Sequence, residues 1–212
     1  MPPLPEPPAD PDALRLPQAI ESGPWCRVHH GIRSATEVLR EAVFRWDDPS
    51  QSYGVIYVAT DLRCCLAEVF CRSGTSSAVT VSDEYLRTRR ISHLSSVRPL
   101  RLVDLTSPAL VALTGLDTRI CVTEDYDLCQ RWCSAFFHHR ARFDGIRYQS
   151  RLLPLGVSVA LFAERVSDAL AVQDLGALAS PGNLDGIASL FAELALRDII
   201  PALVGLAQGD VA

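Results

Sequence analysis

A short apolar segment that passes directly into a helix constrains the fold of this chain more than any other feature of its sequence. Residues 53–59 (Tyr-Gly-Val-Ile-Tyr-Val-Ala) are rich in β-branched and aromatic side chains, which favour a strand. Thr60 or Asp61 then provides a helix cap, and Leu66, Ala67 and Phe70 follow at helical spacing. The segment therefore predicts a strand that leads into a helix with almost no loop between them.

Strands and helices alternate irregularly along the rest of the chain. Further strands are predicted at residues 78–82, 90–94, 100–105, 145–149 and 156–163. Helices are predicted at residues 35–43, 108–114, 126–139 and 184–196, of which 126–139 has the strongest periodicity. Because the even repeats of a doubly wound sheet or a barrel are lacking, the pattern indicates one mixed α/β or α+β domain.

The two ends of the chain differ from this predicted domain. Seven of the 14 prolines lie within the first 17 residues, and proline has no N–H to donate, so we expect residues 1–22 to form an extended or flexible tail. Pro2 and Pro5 have the PxxP spacing of ligands for aromatic grooves, although a solvated tail is the simpler interpretation. We expect the domain to cover residues 23–212, with order starting near Trp25. Residues 170–212 carry Ala and Leu at helical spacing, which predicts a helical region that packs on the core or on a second copy.

Composition and charge narrow the classes of function. A chain of 212 residues with 48% hydrophobic content can bury one substantial core. The net charge of -5 provides no general field for binding nucleic acid. The longest apolar run, near residues 152–162, is shorter than the roughly 20 residues that span a bilayer, and the N-terminus lacks the features of a secretory signal. We therefore expect a cytoplasmic protein that binds neither nucleic acid nor membrane.

The cysteines favour free thiols over disulfides or a metal site. Seven is an odd number, and no secretion signal accompanies them. Cys129 and Cys133 lie one helical turn apart, close to His138 and His139, which is the nearest approach to a zinc-binding pattern. The segment is apolar-periodic, however, so buried helix cysteines are the better interpretation. We expect no metal.

The common fingerprints of catalysis and nucleotide binding are lacking. No GxGxxG follows a strand, and neither GxxxxGK[ST], GxSxG nor HExxH occurs. Three charged residues in apolar surroundings remain as candidates. Glu68 is costly to bury without a partner, and Arg27 and Arg45 have apolar or aromatic neighbours. Taken singly, each has an ordinary interpretation as a surface side chain that reaches solvent.

Taken in order, the segments that contain these residues follow the pattern of a known family. Arg27 lies in Trp-Cys-Arg-Val-His at a first strand, and Arg45 lies in Phe-Arg-Trp-Asp-Asp-Pro at residues 44–49. Gly-Val-Ile-Tyr-Val-Ala-Thr-Asp at residues 54–61 then leads into Cys-Leu-Ala-Glu-Val at 65–69. Asp-Gly-Ile-Arg-Tyr-Gln-Ser-Arg at residues 144–151 is similar to a strand that carries a serine. In the order and spacing of these segments, the chain resembles the RES domain family.

The resemblance implies a fold similar to that of ADP-ribosyltransferase toxins. It implies an enzyme that degrades NAD by phosphorolysis or hydrolysis, with NAD as a substrate rather than a recycled cofactor and inorganic phosphate as a candidate co-substrate. It also implies a toxin whose antitoxin blocks the active site and often carries a DNA-binding domain. The sequence leaves open two other functions, an ADP-ribosyltransferase that modifies a protein and a non-catalytic NAD-binding or regulatory module. It also leaves homo-oligomer formation open.

By the resemblance, Arg27, Arg45, Tyr57, Glu68 and Ser150 occupy the functional positions. The chemistry of NAD suits these residue types. An arginine fork binds phosphate oxygens, so we expect Arg27 at the pyrophosphate and Arg45 near the same anion or an incoming phosphate. The aromatic ring of Tyr57 suits the flat nicotinamide cation. The Glu68 carboxylate suits the positive charge that develops on the ribose, and Ser150 suits a hydrogen bond that fixes the substrate.

Two positions depart from the family pattern. Trp46 stands where family members often have Phe, and it can still pack in the core. Val28 stands where some members have an aromatic residue after the first Arg, so one stacking face is lost. These departures leave the acceptor of ADP-ribose unassigned.

Overall fold

The computed structural model describes residues 2–70, 82–153 and 155–193 of the chain. Within them, one eight-stranded sheet has the order β1-β5-β6-β7-β3-β2-β4-β8. Neighbouring strands are antiparallel except for β5 and β6, which are parallel. The strands are β1 (Gln18–Glu21), β2 (Trp25–His30), β3 (Val55–Ala59), β4 (Arg89–Ser96), β5 (Leu100–Asp104), β6 (Gly145–Gln149), β7 (Val157–Phe162) and β8 (Leu170–Ala177).

Helices lie on and beside this sheet. They are α1 (Leu62–Phe70), α2 (Asp83–Thr88), α3 (Leu110–Thr114), α4 (Tyr126–His138), α5 (Ala163–Val166) and α6 (Pro181–Glu193), with short 3-10 helices at Pro11–Ala13 and Thr118–Cys121. Carboxylates cap the helices that the sequence predicted most strongly. Asp61 accepts a hydrogen bond from the Cys64 amide at the start of α1, and Asp125 accepts one from Leu128 at the start of α4. The predicted strand-to-helix segment and the mixed α/β fold are thus confirmed.

The sheet is apolar on both faces because its central strands alternate between two clusters. On one face, α4 packs Trp132 and Phe136 against sheet residues that include Ile146 and Phe162. On the other face, Ile56 and Val58 of β3 join a separate cluster with residues of β5 and β7. Strand β3 is therefore buried on both sides, and only Thr60 and Asp61 separate it from α1.

The predicted helix at residues 35–43 is wrong, because these residues form an irregular loop. Side chains from elsewhere in the chain donate hydrogen bonds to backbone carbonyl oxygens that a helix would use for its own hydrogen bonds. Arg27 donates to the carbonyl oxygens of Ala35 and Glu37, and Gln130 donates to that of Ala42. Ala42 also has a φ of 51°, which is incompatible with a right-handed helix. Tertiary hydrogen bonds have replaced the local pattern.

The N-terminal residues contact the domain, contrary to the expectation of a free tail up to residue 22. Strand β1 pairs with β5 over four positions, starting at Gln18 and Val103. Upstream of it, the indole Nε1 of Trp132 donates to the carbonyl oxygen of Pro5 at 2.8 Å, and Arg131 forms an ion pair with Glu6. Proline lacks a donor but keeps its carbonyl acceptor, so a proline-rich segment can still bind a helix that offers donors.

The predictions for the remaining elements have mixed outcomes. The strands predicted at 90–94, 100–105, 145–149 and 156–163 and the helices at 108–114 and 126–139 are confirmed within a few residues. Residues 170–177, expected to be helical, instead form β8 along β4. Helix α6 begins at Pro181 and overlaps the helix predicted at 184–196. The strand predicted at 78–82 falls almost entirely outside the described residues, as does the segment after 193.

Among the residues that are described, no helix has both the length and the apolar character required to cross a membrane.

Gly145 on β6 provides a test of how tightly the sheet packs. A Cβ atom at this position would lie 2.4 Å from the backbone oxygen of Ala160, which cannot move aside easily. We expect Gly145→Ala to lower the free energy of unfolding by about 1–3 kcal/mol, as overpacking does, measured by urea denaturation. Gly182→Ala is the control, since a Cβ there meets nothing within 4 Å and alanine favours a helix. Equal free energies of unfolding for Gly145→Ala and Gly182→Ala would contradict the close packing of Gly145 against Ala160.

Candidate active site

A cleft opens where strands β2 and β3 separate. The two strands pair at Cys26 and Ala59, whereas β2 pairs with β4 over six positions. A cavity of about 370 Å³ lies between β2, β3 and α1. Its lining includes Arg27 and Val28 from β2, Tyr57 from β3, Glu68 from α1, and the side chains of Phe44, Tyr85 and Tyr148. Arg27, Tyr57 and Glu68, which the resemblance selected and which lie on three different elements, therefore share one cavity.

Two further cavities adjoin the first and share residues with it. The second, of about 240 Å³, shares Phe44, Tyr57, Glu68 and Tyr148 and is also lined by Arg45, Tyr126 and Arg151. The third, of about 470 Å³, shares Arg27, Val28, Phe44 and Tyr57 with the first. Tyr57 and Phe44 line all three cavities, so they lie at the centre of the cleft.

Ser150 holds the carboxylate of Glu68. The Ser150 hydroxyl donates to Glu68 Oε1 at 2.6 Å and accepts hydrogen bonds from the amides of Leu152 and Leu153, both at 3.1 Å. Ser150 is only 4% exposed. Since a hydroxyl has a single proton, the proton of Ser150 is already used by Glu68. Ser150 therefore acts as a positioning group for the carboxylate in this structure, and its own contact with a substrate stays a prediction.

Tyr57 presents its ring rather than its hydroxyl to the cleft. The hydroxyl donates to Asp47 Oδ1 at 2.8 Å and accepts from the amide of Trp46 at 3.0 Å. Burial, together with the Asp47 carboxylate, raises the pKa of Tyr57 well above its ordinary value, so the hydroxyl stays protonated. The ring packs edge-on against Phe44 with 5.8 Å between the ring centroids. The two rings form an aromatic corner beside Glu68.

Arg45 is buried and binds backbone more than it faces the cleft. It is 8% exposed, and its Nη1 donates to the carbonyl oxygens of Ile120 at 3.0 Å and Thr123 at 2.6 Å. Its guanidinium carbon lies 4.9 Å from the centroid of the Tyr126 ring. Arg45 thus fixes the segment around residues 120–123 and contributes positive charge to the second cavity.

Arg27 similarly combines a structural role with a position at the cleft. Its Nη1 donates to the carbonyl oxygen of Ala35 at 2.5 Å and its Nη2 donates to that of Glu37 at 2.9 Å. Burial lowers the pKa of Arg27 to about 10, so the group remains cationic at neutral pH. A half-buried cation therefore lies between the first and third cavities and holds the loop of residues 35–37 beside them.

The arrangement can be compared with known proteins. The model of the RES domain family matches residues 24–181. The chain belongs to the RES domain family. A similar solved structure is the crystal structure of the M. tuberculosis MbcT–MbcA toxin–antitoxin complex, with 24% sequence identity, a TM-score of 0.57, and coverage of 74% of this chain and 87% of the other. This likeness shows a shared fold. No curated protein matches the chain.

Within this RES domain, Asp47 is a buried carboxylate beside the cleft that sequence analysis did not select. Its Oδ2 accepts hydrogen bonds from the amides of Val43 at 3.0 Å and Phe44 at 2.7 Å, and its Oδ1 accepts the Tyr57 hydroxyl. The Arg-aromatic-Asp stretch at residues 45–47 contains Asp47, but only Arg45 was selected from it. Tyr148, also missed, lies two residues before Ser150, and its ring centroid is 5.4 Å from that of Trp46.

The cysteines of the RES domain are packing and hydrogen-bonding residues. The six that the structure describes are buried and free. Cys133 donates to the carbonyl oxygen of Trp46, and burial raises the pKa of Cys26 and of Cys64 to about 11. These thiols are protonated at neutral pH and are not activated nucleophiles. Over residues 2–70, 82–153 and 155–193, no three His, Cys, Asp or Glu side chains are grouped as metal ligands would be.

The contacts of Asp47 predict that its charge is needed to hold the aromatic corner. Asp47→Asn replaces one acceptor oxygen with a donor that would face either the Tyr57 hydroxyl or two backbone amides. We expect the free energy of unfolding to fall by about 1–3 kcal/mol because buried polar groups lose their partners, measured by chemical denaturation. The control is Asp127→Asn, at an exposed position in the first turn of α4. Equal stability of Asp47→Asn and the wild type would contradict this role.

Proposed function

We propose that this RES domain is an enzyme that cleaves NAD at the bond between nicotinamide and ribose. The observation that carries the proposal is the Glu68 carboxylate, held by Ser150 at 2.6 Å and placed where two cavities meet beside Tyr57. Breaking a glycosidic bond leaves positive charge on the sugar. A fixed carboxylate next to that sugar stabilises the transition state more than the substrate, which is the condition for catalysis.

The aromatic corner suits the nicotinamide ring. Nicotinamide in NAD is a flat cation, and aromatic side chains attract such groups through stacking and cation–π contact. The rings of Tyr57 and Phe44 line the same cavity as Glu68. The hydrogen bond from the Tyr57 hydroxyl to Asp47 anchors the end of the side chain, which keeps the ring at the cleft. We propose that this corner holds nicotinamide with its glycosidic bond towards Glu68.

Arg27 is proposed to bind the pyrophosphate of NAD. A guanidinium has five N–H donors, and the bonds to Ala35 and Glu37 use donors on Nη1 and Nη2 without using the whole group. Its cationic state and its place between two cavities suit charge-assisted hydrogen bonds to phosphate oxygens. The same side chain would then fix both the cleft wall and the substrate.

The second cavity favours inorganic phosphate as the acceptor of ADP-ribose. Two arginines, Arg45 and Arg151, line it beside Glu68, and this positive lining suits an anion better than it suits water. In the proposed step, a phosphate oxygen forms a bond to the anomeric carbon of the ribose. The carbon–nitrogen bond breaks, and nicotinamide leaves as a neutral molecule with the bonding electron pair. Hydrolysis is the same step with water as the nucleophile.

We also propose that the protein is a toxin with an antitoxin partner. Its family and its fold likeness to a structure of a toxin–antitoxin complex support this proposal. Around the cleft, Ile32, Leu39 and Phe44 line the third cavity and are 86%, 46% and 38% exposed. Exposed apolar side chains beside a polar cleft suit a protein partner that covers the site. A DNA-binding domain in that partner stays a prediction.

The role of Glu68 is tested by Glu68→Gln, which keeps an acceptor for the Ser150 hydroxyl but removes the charge. We expect turnover of NAD to fall by about 100-fold or more, the scale of losing one preorganised electrostatic group. The melting temperature should remain close to that of the wild type. Glu124→Gln, at an exposed position, is the matched control. Wild-type turnover in the Glu68 variant would exclude the assigned role.

The reaction itself is tested by incubating purified protein with NAD, with and without inorganic phosphate, and identifying the products by mass. We expect nicotinamide release that requires phosphate and yields phosphorylated ADP-ribose. Arg151→Gln should raise the KM for phosphate because the second cavity loses a cation. Release of free ADP-ribose at the same rate without phosphate would show a hydrolase. Folded protein that releases no nicotinamide under either condition would contradict the proposed function.

A further inference from the structure

The third cavity is the most basic part of the cleft. Three guanidinium groups, those of Arg27, Arg33 and Arg89, line it together with a single carboxylate, that of Glu37. The chain as a whole has a net charge of -5, so this local excess of positive charge runs against the overall balance. The carboxylate and Arg33 are exposed and form a loose ion pair at 3.7 Å, and such a pair neutralises little of the local field.

Arg89 is the cation of this cavity that the rest of the protein satisfies least. Its Nε is shielded from solvent, yet no acceptor within the described residues forms a hydrogen bond with it. Its guanidinium carbon lies 4.8 Å from the centroid of the Tyr85 ring, which orients the plane of the group. Buried donors are nearly always paired in folded proteins, because an unpaired one loses its hydration without compensation. A cation that lines the cavity and is oriented by Tyr85 suits an anionic ligand.

One of the two histidines of β2, His30, adds a further donor on the same wall. His29 uses both ring nitrogens within the protein: its Nδ1 donates to the carbonyl oxygen of His30 at 3.1 Å, and its Nε2 lies 2.9 Å from the Ser92 hydroxyl. His30 Nδ1 accepts a hydrogen bond from the amide of Ile32 at 3.3 Å. A neutral imidazole that accepts at one nitrogen carries its proton on the other, so His30 Nε2 is a donor. Donors of this kind next to arginine are typical of phosphate sites.

We propose that the third cavity binds a phosphate group of the dinucleotide, with Arg89 as its principal cation. This inference rests on the proposed function. The third cavity shares Arg27 and Tyr57 with the cavity that contains Glu68, so a substrate with nicotinamide at Tyr57 can extend past Arg27 towards Arg89. A pyrophosphate has two anionic groups, which Arg27 and Arg89 would bind one each. Arg89 would then set the preference for a dinucleotide over a substrate without the second phosphate.

The test uses ADP-ribose, which carries the pyrophosphate and needs no turnover to bind. We expect Arg89→Gln to raise the Kd for ADP-ribose roughly tenfold, the loss of one charge-assisted hydrogen bond, measured by calorimetry on the full chain. Arg89→Lys should recover part of the affinity because it keeps the charge. Arg140→Gln, at an exposed position that lines none of the three cavities, should leave the Kd unchanged.

Two results would overturn the proposal. One is an unchanged Kd for ADP-ribose in Arg89→Gln, including the case in which wild-type protein does not bind ADP-ribose at all. The other is an Arg89→Gln variant that binds inorganic phosphate more weakly but ADP-ribose normally, which would assign the cavity to free phosphate. Wild-type protein that binds ADP-ribose through Arg89 but never cleaves NAD would refute the proposed function and leave the phosphate site standing.

Discussion

The buried carboxylate of Asp47 joins the two walls of the cleft, and the geometry of the site depends on it. It accepts hydrogen bonds from the amides of Val43 and Phe44 on one wall and from the Tyr57 hydroxyl on the other. A carboxylate that is only 6% exposed requires such partners. Gln130 of α4 extends the network by donating to the carbonyl oxygen of Phe44. The aromatic corner is therefore anchored to the hydrophobic core rather than to a free loop.

Two arginines of the cleft, the half-buried Arg27 and the buried Arg45, use their charge to organise backbone outside the sheet. Arg27 binds the carbonyl oxygens of Ala35 and Glu37 in a loop, and Arg45 binds those of Ile120 in a short 3-10 helix and of Thr123 just after it. Both segments are in this way fixed before any ligand arrives, which is what a preorganised site requires. A loss of activity on replacing either arginine would therefore combine two effects, weaker contact with the substrate and displacement of the cleft wall.

The sequence predicted the elements whose signals are local. Helix α4 has a capping Asp125 and a continuous apolar face, and β3 leads into α1 through a capped junction, so both were found. The loop at residues 35–43 was mistaken for a helix because its partners, Arg27 and Gln130, are distant in sequence. The edge strands β1 and β8 are partly or largely exposed and lack a continuous buried pattern. For the site, the resemblance selected Arg27, Tyr57 and Glu68, which share one cavity. Asp47 was passed over although it lies in the Arg-aromatic-Asp stretch, and Arg89 was missed because only tertiary contacts reveal it.

Burial of the thiols lowers their reactivity towards oxidants. With the pKa of Cys26 and Cys64 near 11 and that of Cys121 raised by burial to about 12, little thiolate exists at neutral pH. The thiolate is the form that reacts with peroxide, disulfides and alkylating reagents. While the sheet and α4 stay packed, these sulfurs are chemically silent. Modification of Cys26, Cys64 and Cys121 would accompany opening of the core, so the reactivity of these three thiols would report the folded state of the protein.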